Sequence, residues 1–393
     1  MEIKIPEYAE QLVERLEANG KEAYIVGGSL RDTLLGKSPS DYDMTTSALP
    51  TEMLEIFADY RVIETGLKHG TLTVISQGRP VEITTFRIDG GYTDSRHPDS
   101  VSFTRSLSKD LERRDFTVNA MAYNRSVGLV DIFGGESDLE RKIIRAVGEP
   151  RRRFEEDALR IMRAFRFSAQ LGFEIEKDTL ACAIECRERL SNIAIERIFS
   201  ELLRLLLSPY PQTPLMLMKQ GGILKYMLGE YLPSDRLISL VSSAPLSDTA
   251  RLGLLLCEAE PEAQSEILAA LKCSNRQRSG ALAVARGGCE SPAREADVSR
   301  FISKYGENSE DALRVSVLLG NSREEVLALA RTNSAPRSIK ELAVDGADLA
   351  LLGFEGREIG KMLARLLDLS LDNPSINSKE ELLRIAREYK KVD

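Results

Sequence analysis

Near residue 135 the chain changes period, and that change limits what it can fold into. Before it, short β-like runs alternate with helical ones: AYIV (23–26), GTLTVIS (70–76), PVEITTFR (80–87), then NAMAYN and VGLVDIF up to residue 133. After about residue 139 the apolar spacing is almost wholly helical. The pattern predicts an α+β chain, with a mixed α/β domain at the N-terminus and an all-α remainder. At 393 residues there is room for two to four domains. The proline-rich SPYPQTP (208–214), GGCESPAREAD (287–297), RTNSAPRS (331–338) and DNPSIN (372–377) are the natural breaks.

Within the first regime, AYIV runs into Gly27 and Gly28, where the backbone can turn sharply, and then into Ser29, a good cap for a helix from Leu30 to Leu35. Gly36 is the expected stop. Amides at such a helix start attract anions, and Arg31 adds a cation in the first turn. A few residues on, Asp41 and Asp43 would share one face of an extended strand, because side chains alternate there. Paired carboxylates beside a phosphate cradle suit Mg²⁺ held between protein and nucleotide. Either element by itself is ordinary: Gly-Gly turns are usually structural, and a D-x-D is usually solvated. The GKS at 36–38 is not a Walker loop, since Arg31 stands where the motif needs glycine and Gly36 closes a helix instead of opening one. In PVEITTFR, Glu82 is the lone acid between Val81 and Ile83, a third carboxylate for the same cation or simply a solvent-facing residue.

A net charge of −8 excludes a broad basic surface, so any nucleic-acid contact must be local. The five cysteines form no CxxC and the chain has two histidines, so reduced core thiols are expected and a zinc site is not. No 18-residue apolar run and no basic-then-apolar leader occurs, which predicts a soluble cytoplasmic protein without membrane contact.

One local exception to the acidic balance is residues 141–166, with nine Lys/Arg against four Asp/Glu. A helix starting near Phe154 would place Ala158, Ile161, Met162, Phe165 and Ala169 on one apolar stripe and Asp157, Arg160, Arg163 and Arg166 on the opposite half. That half reads either as a solvated, salt-bridged face or as a reader of bases. In the second reading Asp157 accepts from the amino group of cytosine or adenine, and Arg160 donates to the adjacent ring nitrogen. Uracil and guanine present the reverse pattern and would leave both groups opposed. Arg163 and Arg166 would then contact triphosphate or base.

Taken in order, GGSLRD with DYD, RRDFTVNAMAYN (113–124), DIFGGESDL (131–139), EDALR (156–160) and AIERIFSELLRLL (194–206) resemble the motifs of the class II tRNA nucleotidyltransferases, the CCA-adding enzymes of the polymerase-β-like superfamily. The resemblance implies a catalytic palm-type head (1–138), a base-selecting helical neck (139–207), a helical body (208–292) and a tRNA-binding helical tail (293–393). KELAVDGADLALLG and IGKMLARLLD resemble the family's tail. It implies Asp41 and Asp43 as catalytic Mg²⁺ ligands, with Glu82 as a further candidate. As nucleotide contacts it implies Gly28, Arg31, Arg114, Asp157, Arg160, Arg163 and Arg166. The implied activity is template-independent addition of CCA to tRNA 3′ ends from CTP and ATP. RVIETGLKHGTLTVIS departs from the RFxLxH-like segment usual in bacterial poly(A) polymerases, and retention of RIDGGYTDSRHPDSVSFTRSL (87–107) is similar to enzymes that add the terminal A. A-only addition, poly(A) synthesis and a catalytically idle RNA-binding protein on this scaffold are the alternatives.

Overall fold

The computed structural model describes residues 3–90 and 101–390, and its chain divides into two compact units, Met1–Met227 and Leu228–Asp393. The middle of the 87–107 segment, including His97, lies outside the described residues.

The first unit is built on a seven-stranded mixed sheet. Its strands are β1 (Ala23–Val26), β2 (Tyr42–Thr46), β3 (Arg61–Ile63), β4 (Thr71–Ser76), β5 (Arg79–Thr85), β8 (Met121–Asn124) and β9 (Gly128–Asp131), in the order β3-β4-β5-β2-β1-β8-β9. Two separate pairs are β6 (Arg87–Asp89) with β7 (Val101–Phe103), antiparallel, and β10 (Ile143–Ile144) with β11 (Glu174–Ile175), parallel. All pairs in the large sheet are antiparallel except β2 with β5. β1 lies inside the sheet with all four residues buried, which is why it reads as an unbroken apolar run. In β4, Leu72, Val74 and Ser76 alternate inward, the mark of a strand with one covered face.

Helix α1 (Glu7–Ala18) buries Tyr8, Ala9, Leu12, Val13 and Leu16 as one stripe and packs on β1 and β4. Helix α2 (Gly27–Leu34) follows β1 without a linker and lies against β1, β2 and β8. Two short helices, α3 (Pro50–Ile56) and α4 (Leu107–Glu112), pack on β4 and β6, and α5 (Gly135–Glu140) starts at Gly134, whose φ of +76° favours glycine.

Past residue 140 the first unit is almost all helical, as the sequence predicts: α6 (Pro150–Glu156), α7 (Leu159–Leu171), α8 (Lys177–Glu185) and α9 (Ile195–Leu206). The predicted stripe is correct, since Ala158, Ile161, Met162, Phe165 and Ala169 are all fully buried. The predicted continuous helix from Phe154 is not. The chain is extended at Asp157 (φ −144°, ψ 104°), which separates α6 from α7. The opposite half is not a solvated face either, because Arg160 and Arg166 are buried.

In the second unit the helices Asp248–Leu255 and Asn275–Gly287 pack at glycine contacts. A Cβ on Gly253 would lie 2.7 Å from Val284 Cβ, so only glycine permits this approach. Further on, Leu342, Val344, Leu349, Phe354, Met362, Leu366, Leu382 and Ala386 form a core of their own. Among the described residues no helix is long and apolar enough to cross a membrane. The cysteines are free, but the expected core placement holds for Cys182, Cys186 and Cys257 alone: Cys273 is half-buried and Cys289 is exposed, since it follows its helix at the surface.

Candidate functional site

Strand register brings the acidic groups together. Asp43 lies opposite Val26, the last residue of β1, and beside Glu82 across the parallel β2–β5 pair. Glu82 is exposed between buried Val81 and Ile83, so it points to the open face that Asp43 also uses. Asp41 precedes β2 and is exposed. Asp43 opens onto a cleft, yet the surrounding walls remove enough water to push its carboxyl up to about 6. The negative charges of Glu82 and Asp41 add to this shift, and Arg114 opposes it. Oxygen ligands carrying unneutralised negative charge fit a hard divalent cation. Among the described residues no three acidic, His or Cys side chains close into an ion cage. A cation here would therefore complete its shell with phosphate oxygens and water, the usual manner of Mg²⁺.

The turn from β1 into α2 differs from the sequence expectation. The helix begins at Gly27, so Ser29 sits inside its first turn and is not the N-cap. Its hydroxyl instead donates to the Val26 carbonyl (3.0 Å) and accepts from the Asp43 N–H (3.4 Å), tying the helix start to the carboxylate strand. Gly27 is the constrained glycine: its φ is +71°, and a Cβ there would lie 3.3 Å from Arg114 Nη1 and 3.7 Å from Asp43 Oδ2. A Cβ on Gly28 would meet only the Arg31 guanidinium, 3.6 Å away. Gly36 ends the helix with φ +72°, so the GKS does close a helix.

A cleft of about 470 Å³ joins Asp41 and Asp43, but not Glu82, to a set of cations. Asp41, Asp43, Gly28, Arg31, Arg114, Arg163 and Arg166 all line it. Asp110, fully buried, holds the arginine pair of the RRDF segment: it accepts from Arg113 Nε and Nη2 (2.9 and 2.8 Å) and from Arg114 Nη2 (3.4 Å). Burial works to raise the Asp110 carboxyl, but the two arginines more than offset it. Asp115 behaves likewise. Burial is countered by Arg163, whose Nε and Nη2 donate to Asp115 Oδ2 (2.8 and 2.5 Å), and by Asn119, so the carboxyl is held well below the usual range. Asn119 Oδ1 accepts in turn from Arg31 Nη1 at 2.7 Å. Arg31, Asn119, Asp115 and Arg163 thus form one chain of hydrogen bonds across the cleft wall.

Phe167 supplies the centre of that wall. The guanidinium carbons of Arg166, Arg31 and Arg163 lie 4.0, 5.2 and 5.2 Å from its ring centroid. One aromatic ring therefore helps gather three like charges that would otherwise repel. Asp110, Asp115, Asn119 and Phe167 were missed in the sequence, and Gly27 was read only as part of the turn. The signal for Asp115 and Asn119 was the RRDFTVN stretch itself.

Asp157 and Arg160 do not line this cleft. Asp157 accepts from the Leu159 N–H (3.0 Å) and from Arg197 Nη2 (3.4 Å). Arg160 Nη1 donates to Glu156 (2.7 Å) and the Arg153 carbonyl (3.1 Å), and its Nη2 donates to the Arg113 carbonyl (2.8 Å). The two are not the free side-by-side donor and acceptor that a single helix predicts, because the break at Asp157 turns them to different partners. Each keeps capacity: Arg160 retains its Nε–H and one Nη2–H, and both Asp157 oxygens have a spare lone pair. Helix α9 supports this region from behind, through Arg197 to Asp157 and Glu201 to Arg166.

The sheet, its paired acids and the arginine-lined cleft define a nucleotidyltransferase head. The family model "Poly A polymerase head domain" matches residues 23–145, and "Probable RNA and SrmB- binding site of polymerase A" matches 172–233. The chain is 37% identical to the CCA-adding enzyme of Streptococcus gordonii over 397 residues, covering 96% of each chain. It is 36% identical to that of Pediococcus pentosaceus over 405 residues, covering 98% of this chain and 99% of the other. Among solved structures, the Bacillus stearothermophilus CCA-adding enzyme in complex with CTP superposes with a TM-score of 0.85 at 30% identity, over 99% of both chains. The chain belongs to the CCA-adding enzyme family. Enzymes with this nucleotidyltransferase head generally work with a divalent metal.

Proposed function

We propose that this chain adds C, C and A, without a template, to the 3′ end of tRNA from CTP and ATP, releasing pyrophosphate. The observation that carries this reading is the register that sets Asp43 between Val26–Gly27 and Glu82, opposite the arginine-lined wall. Carboxylates for a cation and guanidinia for a triphosphate then share one cleft. Mg²⁺ held by Asp41 and Asp43, with Glu82 as a further oxygen donor, would lower the pKa of the primer 3′-hydroxyl and neutralise the leaving pyrophosphate. The protein's own part is alignment and charge stabilisation. Arg31, Arg114, Arg163 and Arg166 would grip phosphate, the α2 amides at Gly28 would receive it, and Asp157 with the spare donors of Arg160 would read the base edge.

In this reading residues 1–138 are the head, 139–207 the neck, 208–292 the body and 293–393 the tail. Tail contact with tRNA would use the groove of about 400 Å³ lined by Lys361, Arg365 and Lys390 with Phe354 and Tyr389. We place the reaction in the cytoplasm, where tRNA and nucleoside triphosphates meet. The test is pyrophosphate release from CTP in the presence of tRNA lacking its last three nucleotides. Wild type should release it and Asp43→Asn should not; release by both would remove Asp43 from the chemistry.

A further inference from the structure

The proposed transfer uses none of the cysteines, yet two of them meet at the surface of the second unit. Cys257 follows the helix Asp248–Leu255 and Cys289 follows Asn275–Gly287, the two helices that pack at Gly253. The Cys289 thiol donates to the main-chain oxygens of Cys257 (3.2 Å) and Ala285 (3.4 Å), the Cys257 thiol donates to the Gly253 carbonyl (3.5 Å), and a Cβ on Gly288, next to Cys289, would lie 3.2 Å from Cys257 Sγ. Cys257 is buried and Cys289 is exposed. An accessible sulfur with a second sulfur held behind it is the arrangement of an attacking thiol and its resolving partner.

We propose that Cys257 and Cys289 are a peroxide-sensitive dithiol that closes to an intramolecular disulfide. The Cys289 sulfur attacks a hydroperoxide, breaking its O–O bond. It becomes a sulfenic acid, and one water (or alcohol) leaves with the thiol proton. The Cys257 sulfur then attacks the Cys289 sulfur, forming the S–S bond and expelling the hydroxyl as a second water with the Cys257 proton. Two thiols lose two electrons and one peroxide gains them. The neighbouring Cys257 side chain favours the first step, holding the Cys289 thiol down to about 7 despite partial burial and nearby Glu258 and Glu290, while Cys257 keeps its proton strongly. Cys182 and Cys186 provide an internal control. Their sulfurs are 3.9 Å apart, but both are buried on one helix, where peroxide does not reach.

The experiment treats the reduced full-length protein with equimolar hydrogen peroxide, alkylates remaining thiols after unfolding, and maps peptides by mass spectrometry. Two of the five thiols should be lost, in a single linked peptide pair containing Cys257 and Cys289, and both should return with dithiothreitol. In Cys257→Ser the Cys289 sulfenic acid should persist, react with dimedone, and pass on to sulfinic acid. Should that variant fail to fold, the wild-type map decides alone. Sulfinic acid on wild-type Cys289 with Cys257 still free would overturn the proposal, as would a disulfide between two chains or loss of Cys182 and Cys186 first.

Discussion

Asp43 is held in a register that works against its own ionisation, beside Glu82 and near Asp41. A carboxyl raised in the folded state disfavours folding once pH exceeds its unfolded value, because the native state must then carry the charge. Asp43→Asn should therefore raise the thermal midpoint at neutral pH without divalent cations, while transfer falls by about a hundredfold or more. Added Mg²⁺ should raise the wild-type midpoint and leave the variant unmoved; a destabilised variant, or a wild type indifferent to Mg²⁺, would contradict this. Asp115 has the opposite sign. Its depressed carboxyl contributes stability above the unfolded pKa of about 3.9, and that contribution is lost as pH falls below it. Wild type should lose stability steeply below about pH 4 and Asp115→Asn much less so, as read by denaturant midpoints across that range. Gly27→Ala combines a left-handed backbone with a Cβ against Arg114, so a loss of about 1–3 kcal/mol with a fall in activity is expected on melting and assay. The Gly-Gly pair was legible in the sequence. Which glycine is constrained was not, because that depends on Arg114, 87 residues away in the chain, folding over it.

At the scale of elements, the proposed function assigns base choice to helix α7 and the partners α9 gives it. The apolar stripe of α7 was readable from its period, and so was the β1–α2 unit. The break at Asp157 was not, since EEDALR holds no glycine or proline to announce it. The trace it left was an acid just ahead of an apolar-periodic run, the usual signature of a helix start. The break gives Asp157 a structural bond beside its proposed part in base reading, and substitutions can resolve the two. Asp157→Ala removes both the acceptor proposed to repel carbonyls and the bond to Leu159 N–H, the second loss costing about 1 kcal/mol of stability. Asp157→Asn keeps an oxygen for that bond while losing the charge. If Asp157 reads the base, both variants should lose about ten- to hundredfold in preference for CTP and ATP over UTP and GTP. Single-turnover incorporation of the four nucleotides checks this, and unchanged ratios in both variants would return Asp157 to a purely structural part.

Over the whole molecule, an acidic chain that takes tRNA, as proposed, must hold it through few contacts. The α+β division was legible because helical and strand periods differ so plainly in the two regimes. The tail groove was not, because its cations come from two helices: Arg365 lies over the Tyr389 ring at 4.6 Å and Lys390 over Phe354 at 4.6 Å. If this groove tracks tRNA phosphate, Arg365→Ala should weaken binding and flatten the salt slope by about 1, with base selectivity unaffected. Fluorescence anisotropy of labelled tRNA across a salt series would show it, and an unchanged slope would place tRNA contact elsewhere. The central claim is tested most directly on tRNAs lacking one, two or three terminal nucleotides, each given labelled CTP, ATP, UTP or GTP singly and then CTP with ATP. The account predicts C alone on the two shorter tRNAs, A alone on the one ending in CC, a finished CCA from the mixture, and no label from UTP or GTP. Repeated A addition without CTP, or label on the CC-ending tRNA alone, would contradict it.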